Sequence, residues 1–202
     1  MPKRIFDIIF CAAGLAILSP LFIVIAALVK ATSPGPVFYR QERSGRDFKP
    51  FKIFKFRSMA ADADITGAGI TSREDRRITK FGAFLRRTKL DELPQLINVL
   101  AGDMSLVGPR PEIPGFVDRN REAYAEILKV RPGITDIASI KFLNEAALLS
   151  DSSDEAEKKY LNEILPRKLK YGREYLERQG LIFDIRLILE TIYRILVQKK
   201  LN

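Results

Sequence analysis

The densest cluster of chemically capable side chains in this chain is Asp91-Glu92-Leu93-Pro94, with Arg86 and Arg87 just upstream. Neighbouring cations lower a carboxylate's pKa and keep it ionised, as a nucleophile must be. The spacing predicts a helix from Asp91 to Leu100, stopped by Gly102, with Asp91 as N-cap and Pro94 in the first turn. Free N–H groups and the dipole at such an end favour a bound anion. An Asp capping a helix just before a proline is also an ordinary helix start, and local physics alone favours that plainer reading. Arg110, between Pro109 and Pro111, and Arg131, before Pro132-Gly133, are cations on stiff loops. Each suits bidentate contact with phosphate or, equally, a surface salt bridge. Asp7 opens an apolar run and needs a partner there, which Lys3 or Arg4 one turn back would supply. Asp62 and Asp64 read better as a solvated loop than as metal ligands.

Composition narrows the chemistry. The 202 residues, 47% hydrophobic and 29% charged, suffice for a folded domain with its own core. There is one cysteine and no histidine, which excludes histidine triads, histidine bases, a thiolate zinc cage and an internal disulfide. Carboxylates remain as the acid, base or nucleophile. A net charge of +9 points to an anionic partner. Residues 1–60 carry ten Lys/Arg against Asp7, Glu42 and Asp47, and they enclose the most apolar stretch of the chain. Apolar insertion beside basic flanks points to a membrane surface. Phe51, Phe54 and Phe56 interleaved with Lys52 and Lys55 also invite a nucleic-acid reading, against which the apolar run argues.

That run, Ile8 to Val29, holds 22 residues without a charge, enough to cross a bilayer. A cleaved signal peptide fits poorly, because no small-residue cleavage site follows. A spanning helix, a re-entrant helix and a soluble core helix stay open. Ser19-Pro20 at its middle favours re-entry: proline kinks the helix, and the serine hydroxyl can bond a carbonyl the kink frees. Basic flanks on both sides give no sign of crossing.

The rest reads as an α-rich domain without repeats or linkers. Residues 37–56 form a β-hairpin around Ser44-Gly45-Arg46-Asp47, and 60–75 a polar loop. Ile78 to Thr88 is a basic helix, 102–111 a Gly/Pro-rich loop and Phe116 to Leu128 a helix. Another opens at Ser153 and is interrupted at Pro166 before running to Arg178. The last, Phe183 to Val197, has helical apolar spacing with Arg186, Glu190 and Arg194 on its other face. Core packing is expected for its apolar side, with interfacial lipid contact as the alternative.

Taken in order, these segments resemble the bacterial sugar transferases, the monotopic phosphoglycosyl transferases. The match runs through Lys3-Arg4-Ile5-Phe6-Asp7, Ser19-Pro20, Pro34-Gly35-Pro36-Val37-Phe38 with Gln41, Arg43 and Gly45, and Phe51 to Met59. Its strongest blocks are Leu90 to Leu100 and Gly102 to Pro111, followed by Arg131-Pro132-Gly133-Ile134-Thr135. The C-terminal third matches more loosely, through Tyr175 to Asp184.

The resemblance implies one domain over 1–202 in an α+β, mostly helical fold. A re-entrant membrane helix would cover 1–30 and a catalytic region 31–202, on the cytoplasmic face of the bacterial inner membrane. It implies transfer of a phospho-sugar from a UDP-sugar to polyprenol (undecaprenyl) phosphate, releasing UMP. Asp91 would attack the β-phosphorus to give a phospho-sugar-aspartate intermediate, with Glu92 assisting the lipid phosphate. Mg²⁺, with Asp91 as ligand, would neutralise the diphosphate. Lys55, Arg57, Arg86, Arg110 and Arg131 are the substrate-binding residues it implies, and Ser19 and Pro20 the membrane break. Membrane lipid is an expected partner and nucleic acid is not; a homodimer is left open. The competing function is a non-catalytic peripheral module binding anionic lipid. Two positions depart from the family pattern: Asp136, where many members have Gly, and Gly172, where many have Asp. The chain otherwise resembles the minimal catalytic form.

Overall fold

The computed structural model describes residues 2–60, 75, 77–142 and 153–201. The expected loop at 60–75, with Asp62 and Asp64, lies almost wholly outside them. The architecture is mostly helical with two small sheets.

The first helix, α1 (Pro2–Thr32), touches the rest of the protein along a narrow seam. Asp7, Cys11, Ile25 and Val29 are buried on it, at the three-to-four-residue spacing of a helix laid on one surface. The remaining circumference is apolar and bare, with Ile17 76% and Ile23 71% exposed. Its most apolar window has a mean hydropathy of 2.7 and is 11% buried, unlike a soluble core helix, which buries most of its surface. Pro20 lies inside α1 without ending it. The N–H that proline lacks would have bonded Ala16 O; Ser19 Oγ donates to that carbonyl instead, at 2.8 Å.

The expected hairpin is present. β1 (Phe38–Ser44) pairs antiparallel with β2 (Pro50–Phe56), Phe38 opposite Phe56. The pairing continues to Ser44 opposite Pro50, so the strand takes in the first residue of the expected turn. Then comes α2 (Lys80–Arg87), N-capped by the Thr79 hydroxyl, and α3 (Gln95–Ala101), ended as expected by Gly102 in the left-handed conformation, φ 96°. The helix expected from Asp91 starts four residues late. Lys89 turns left-handed (φ 58°), Leu90–Glu92 close a single 3₁₀ turn, and Pro94 takes the N-cap position of α3.

A second sheet was not legible. β3 (Ser105–Val107), inside the expected 102–111 loop, pairs parallel with β4 (Gly133–Thr135). Three residues are too few to show an alternating pattern. The single helix expected at 116–128 is two, α4 (Pro114–Arg119) and α5 (Arg121–Ile127), broken at Asn120. After α6 (Ile137–Lys141) come α7 (Ser153–Lys159) and α8 (Leu165–Arg178). Pro166 falls in the first turn of α8, and a π turn at Tyr160–Ile164 absorbs the interruption.

The last helix, α9 (Leu181–Leu201), corrects the core-packing expectation. Leu187 and Asp184 are buried on it, whereas Leu189, Ile192 and Leu196 are half exposed or more. The helices α4, α5 and α8 share one apolar cluster with the π turn, and β3, α6, α8 and α9 a second. The two halves of α1 enter two others: Cys11 with Ile53, Val99 and Met104, and Ile25 and Val29 with Phe56 and Leu85.

Candidate active site

Asp91 and Glu92 occupy the 3₁₀ turn between α2 and α3, and three packing devices converge on it. The helix α2 lies so close to the segment after β2 that a Cβ on Gly82 would stand 1.9 Å from Ser58 O, and only glycine permits that approach. It brings Arg86 Nε to Ser58 Oγ at 2.8 Å. Asn98, fully buried on α3, accepts from Phe54 N and donates to Lys52 O, both at 2.9 Å. The side chain thus does for β2 what a third strand would, and fixes β2 against α3. Lys55, next on β2, then reaches Glu92 Oε1 at 2.9 Å. From the opposite side Arg110, on the loop after β3, donates through Nη2 to the same oxygen at 2.6 Å.

Asp91 is not a helix cap. The α3 N-cap is Pro94, the turn at Leu90–Glu92 has no side-chain cap, and Asp91 Oδ1 is buried without a hydrogen-bond partner among the described residues. The plain structural reading of this aspartate therefore fails, because a bare buried carboxylate oxygen costs stability. One turn on, Gln95 Nε2 is also buried without a partner among the described residues.

The two carboxylates are driven apart electrostatically. Burial raises Asp91, the Glu92 charge raises it further, and Lys55, Lys89 and Arg86 only partly oppose this. The expectation that nearby cations alone hold Asp91 ionised is thus corrected, since desolvation is the larger influence. Burial also pushes Glu92 up, but Arg110 and Lys55 together pull harder, and its carboxyl is held well below the usual range. Burial in turn lowers Lys55 against the pull of Glu92. Adjacent carboxylates with opposed shifts are what a site with two distinct roles requires.

Of the five basic residues expected to bind substrate, Lys55 and Arg110 hold Glu92, and Arg86 lies within electrostatic reach of Asp91. Arg57 turns elsewhere: it is buried, Nη2 donates to Ser33 O at 2.6 Å, and Nε and Nη1 have no partner among the described residues. It ties the end of β2 to the end of α1. Arg131 donates to Gly102 O at 2.7 Å, and the charges that act on it are Arg4, Arg46 and Asp7. It belongs to the neighbourhood of α1's first turns rather than to the carboxylate pair.

Sequence reasoning did not single out Asn98 or Glu112. Glu112 is buried between Arg43 (3.9 Å) and Lys168 (3.3 Å) and backs the loop that carries Arg110. A polar residue on the buried face of a helix was the available signal for Asn98. The two departures from the family pattern meet in one place. Asp136 caps α6 through Ser139 N (2.7 Å) and also accepts from Arg110 N (3.4 Å). Asp136 and Gly172 both line a cavity of about 20 Å³ beside Arg110, room for one water.

Among the described residues no three His, Cys, Asp or Glu side chains gather as a metal cage. Mg²⁺ asks less: one or two carboxylates, with substrate phosphates and water completing the shell. Asp91, with its bare oxygen, meets that requirement.

A family model for bacterial sugar transferases matches residues 1–198. The chain belongs to the bacterial sugar transferase family. It is 36% identical to the exopolysaccharide production protein PSS of Rhizobium leguminosarum bv. phaseoli over 205 residues, covering 98% of this chain and 96% of that one. It is 40% identical over 200 residues to the UDP-glucose:undecaprenyl-phosphate glucose-1-phosphate transferase of Escherichia coli K12. It is 37% identical over 199 residues to the UDP-N-acetylgalactosamine-undecaprenyl-phosphate N-acetylgalactosaminephosphotransferase of Aeromonas hydrophila. The chain spans 40% and 43% of the length of those two relatives. The Asp91-Glu92 pair, Lys55 and Arg110 all lie within the span matched to that family.

Proposed function

We propose that this chain transfers a phospho-sugar from a UDP-sugar to undecaprenyl phosphate, giving undecaprenyl-diphosphate-sugar and UMP. The observation that carries the reading is the bare, buried Oδ1 of Asp91 beside a Glu92 clasped by two cations. An Asp91 oxygen attacks the β-phosphorus of the donor. The new O–P bond forms as the bond to the bridging oxygen breaks, and UMP departs with that oxygen and its electron pair. An oxygen of the lipid phosphate then attacks the same phosphorus and releases the aspartate. Mg²⁺, held by Asp91 with the diphosphate oxygens, would supply charge neutralisation.

The protein's own share is positioning and electrostatics, as phosphoryl transfer demands. Lys55 and Arg110 are held on Glu92, ready to meet phosphate oxygens as a point charge and a fork respectively. Glu92, ionised and doubly paired, assists by carrying those cations, since a strongly depressed carboxylate is a weak base. Arg86 adds a further cation beside Asp91. Arg57 and Arg131 act on the frame: Arg57 fixes the loop out of α1, and Arg131 fixes the end of α3.

The membrane reading is re-entrant attachment to the cytoplasmic face of the inner membrane. Its support is that both arms of α1 pack on the same body, Asp7 and Cys11 from one and Ile25 and Val29 from the other, while the remaining surface is apolar. A spanning helix would carry one arm away from that body. The apolar face of α9 is consistent with a membrane nearby.

The test is UMP release by the full chain with Mg²⁺ and a panel of UDP-sugars, with and without undecaprenyl phosphate. Sustained UMP from one sugar, dependent on the lipid and lost in Asp91→Asn, is the expected result. Without lipid, about one UMP per enzyme is expected, as a covalent intermediate accumulates. No UMP from any sugar, with the protein folded and vesicle-bound, would overturn the reading in favour of a non-catalytic membrane module.

A further inference from the structure

The face of α9 that packs on nothing is organised. Ile182, Ile185, Leu189, Ile192, Tyr193 and Leu196 are each 39% exposed or more, and at 100° per residue they form a single stripe about a quarter-turn wide. Beside this stripe, between α6, α8 and α9, lies a groove of about 150 Å³. Its floor is apolar, with Ile137, Ile140, Phe183 and Leu187, and its rim carries Lys141 and Arg186. Two acids also line it, but both are occupied: Glu174 by Arg178 at 2.9 Å, and Glu190 by Arg194 at 3.1 Å. Arg178 is further fixed over the Phe183 ring, 4.4 Å from its centroid. Lys141 and Arg186 are exposed and have no ion-pair partner among the described residues. The groove is therefore a concave apolar patch with two uncommitted positive charges at its mouth, opening next to an uncovered apolar stripe.

We propose that this groove binds the headgroup of an anionic phospholipid in the bilayer, with the stripe of α9 lying against that lipid's acyl chains. The occupant follows from charge and continuity. A second copy of a chain of net charge +9 would bring cation against cation, whereas an anionic headgroup meets Lys141 and Arg186 directly. The beginning of α9 is also tied to the beginning of the apolar helix α1 by the Lys3–Asp184 ion pair. A helix with an apolar stripe and basic residues along one border is the arrangement that lies in a membrane interface. The inference rests on the membrane reading above and adds a second, headgroup-selective contact to it.

The chain has no tryptophan, so Leu189→Trp creates a single reporter at an exposed position. The full-length variant is reconstituted in phosphatidylcholine vesicles carrying a minority of either brominated phosphatidylglycerol or brominated phosphatidylcholine. The expected result is blue-shifted emission quenched by both lipids, about fivefold more effectively by the anionic one. Lys141→Glu with Arg186→Glu should bring that ratio to about one, as removal of the two cations implies. Ile17→Trp in α1 serves as the companion reporter. If Trp at 189 is unquenched while Trp at 17 is quenched, this inference falls and the membrane reading stands; if both are unquenched, the membrane reading itself falls. A preference for phosphatidylglycerol that survives the double substitution overturns the groove as its origin. Blue emission that grows with protein concentration and resists brominated lipid overturns the lipid as occupant in favour of a second copy.

Discussion

Two pairs of buried carboxylates lie at opposite ends of α3's surroundings, and they are treated differently. Near the start of α1, Asp7 has both oxygens engaged, by Leu106 N at 3.2 Å and Ser105 Oγ at 2.8 Å. Asp184 is engaged on both sides too, by Tyr175 OH at 3.0 Å and by Lys3 Nζ. At the other end Asp91 keeps a bare buried oxygen, and Glu92 gathers Lys55 and Arg110 on one oxygen. The difference separates carboxylates that hold the fold from the pair proposed above to act on the donor. A satisfied buried acid repays its desolvation, while an unsatisfied one is a cost that folding alone does not explain.

The largest expected effect lies at the bare oxygen. Asp91→Asn should lower UMP release by at least ~10³-fold, as loss of a nucleophile does, without lowering stability. The sign follows from the raised pKa of Asp91. The folded state holds this proton more tightly than the unfolded chain, so ionisation of Asp91 costs stability as pH rises from the ordinary value of 3.8 through its folded value. At neutral pH the asparagine variant should therefore unfold at a higher temperature than the parent, and the gap should close as pH falls towards 3.8. A variant less stable than the parent at neutral pH would mean that Asp91 has a structural partner after all. The same shift puts the acid limb of kcat/KM above 3.8.

Next comes the clasp. Arg110→Met should cost about 10²-fold in kcat, the scale of removing one preorganised donor, with little change in unfolding. Loss of folding in place of turnover would move Arg110 to the structural side of the comparison.

How much of this was legible follows the same division. The hairpin was readable from residue types and local spacing, whereas Lys55 was named only through the family resemblance, and the structure brings it and Arg110 onto Glu92. What escaped depends on distant contacts. Asp7 was expected to pair with Lys3 or Arg4, the helical neighbours. Instead Lys3 goes to Asp184, Arg4 caps the Val99 and Leu100 carbonyls at the end of α3, and Asp7 reaches β3. Nothing within one turn of the sequence contains that choice. The second sheet was hidden because its strands are three residues long and 28 apart. The bare side of α9 was hidden because an apolar stripe has the same period whether it faces a core or a lipid.

On the structural side, Asp7→Ala should destabilise the protein by about 2–4 kcal/mol, because it strands the Ser105 hydroxyl and the Leu106 N–H in a buried place. Chemical unfolding measures this directly, and turnover per folded molecule should stay near the parent's. A large loss of turnover at full stability would show that α1's first turns act on the reaction rather than only on the frame.

The smallest effect expected tests the rule inside α1. Pro20 cannot donate to Ala16 O, and Ser19 Oγ supplies the missing bond at 2.8 Å. By the same logic as Asp7, Ser19 is a satisfied, structural polar group in an apolar setting. Ser19→Ala should cost about 0.5–1.5 kcal/mol. Restoring a backbone donor with Pro20→Ala in the same chain should recover that loss, because the N–H of residue 20 can then reach Ala16 O itself. Unfolding in bilayer nanodiscs would compare the three proteins. If the double variant is no better than Ser19→Ala alone, the hydroxyl serves something other than the orphaned carbonyl, and the parallel between Ser19 and Asp7 ends there.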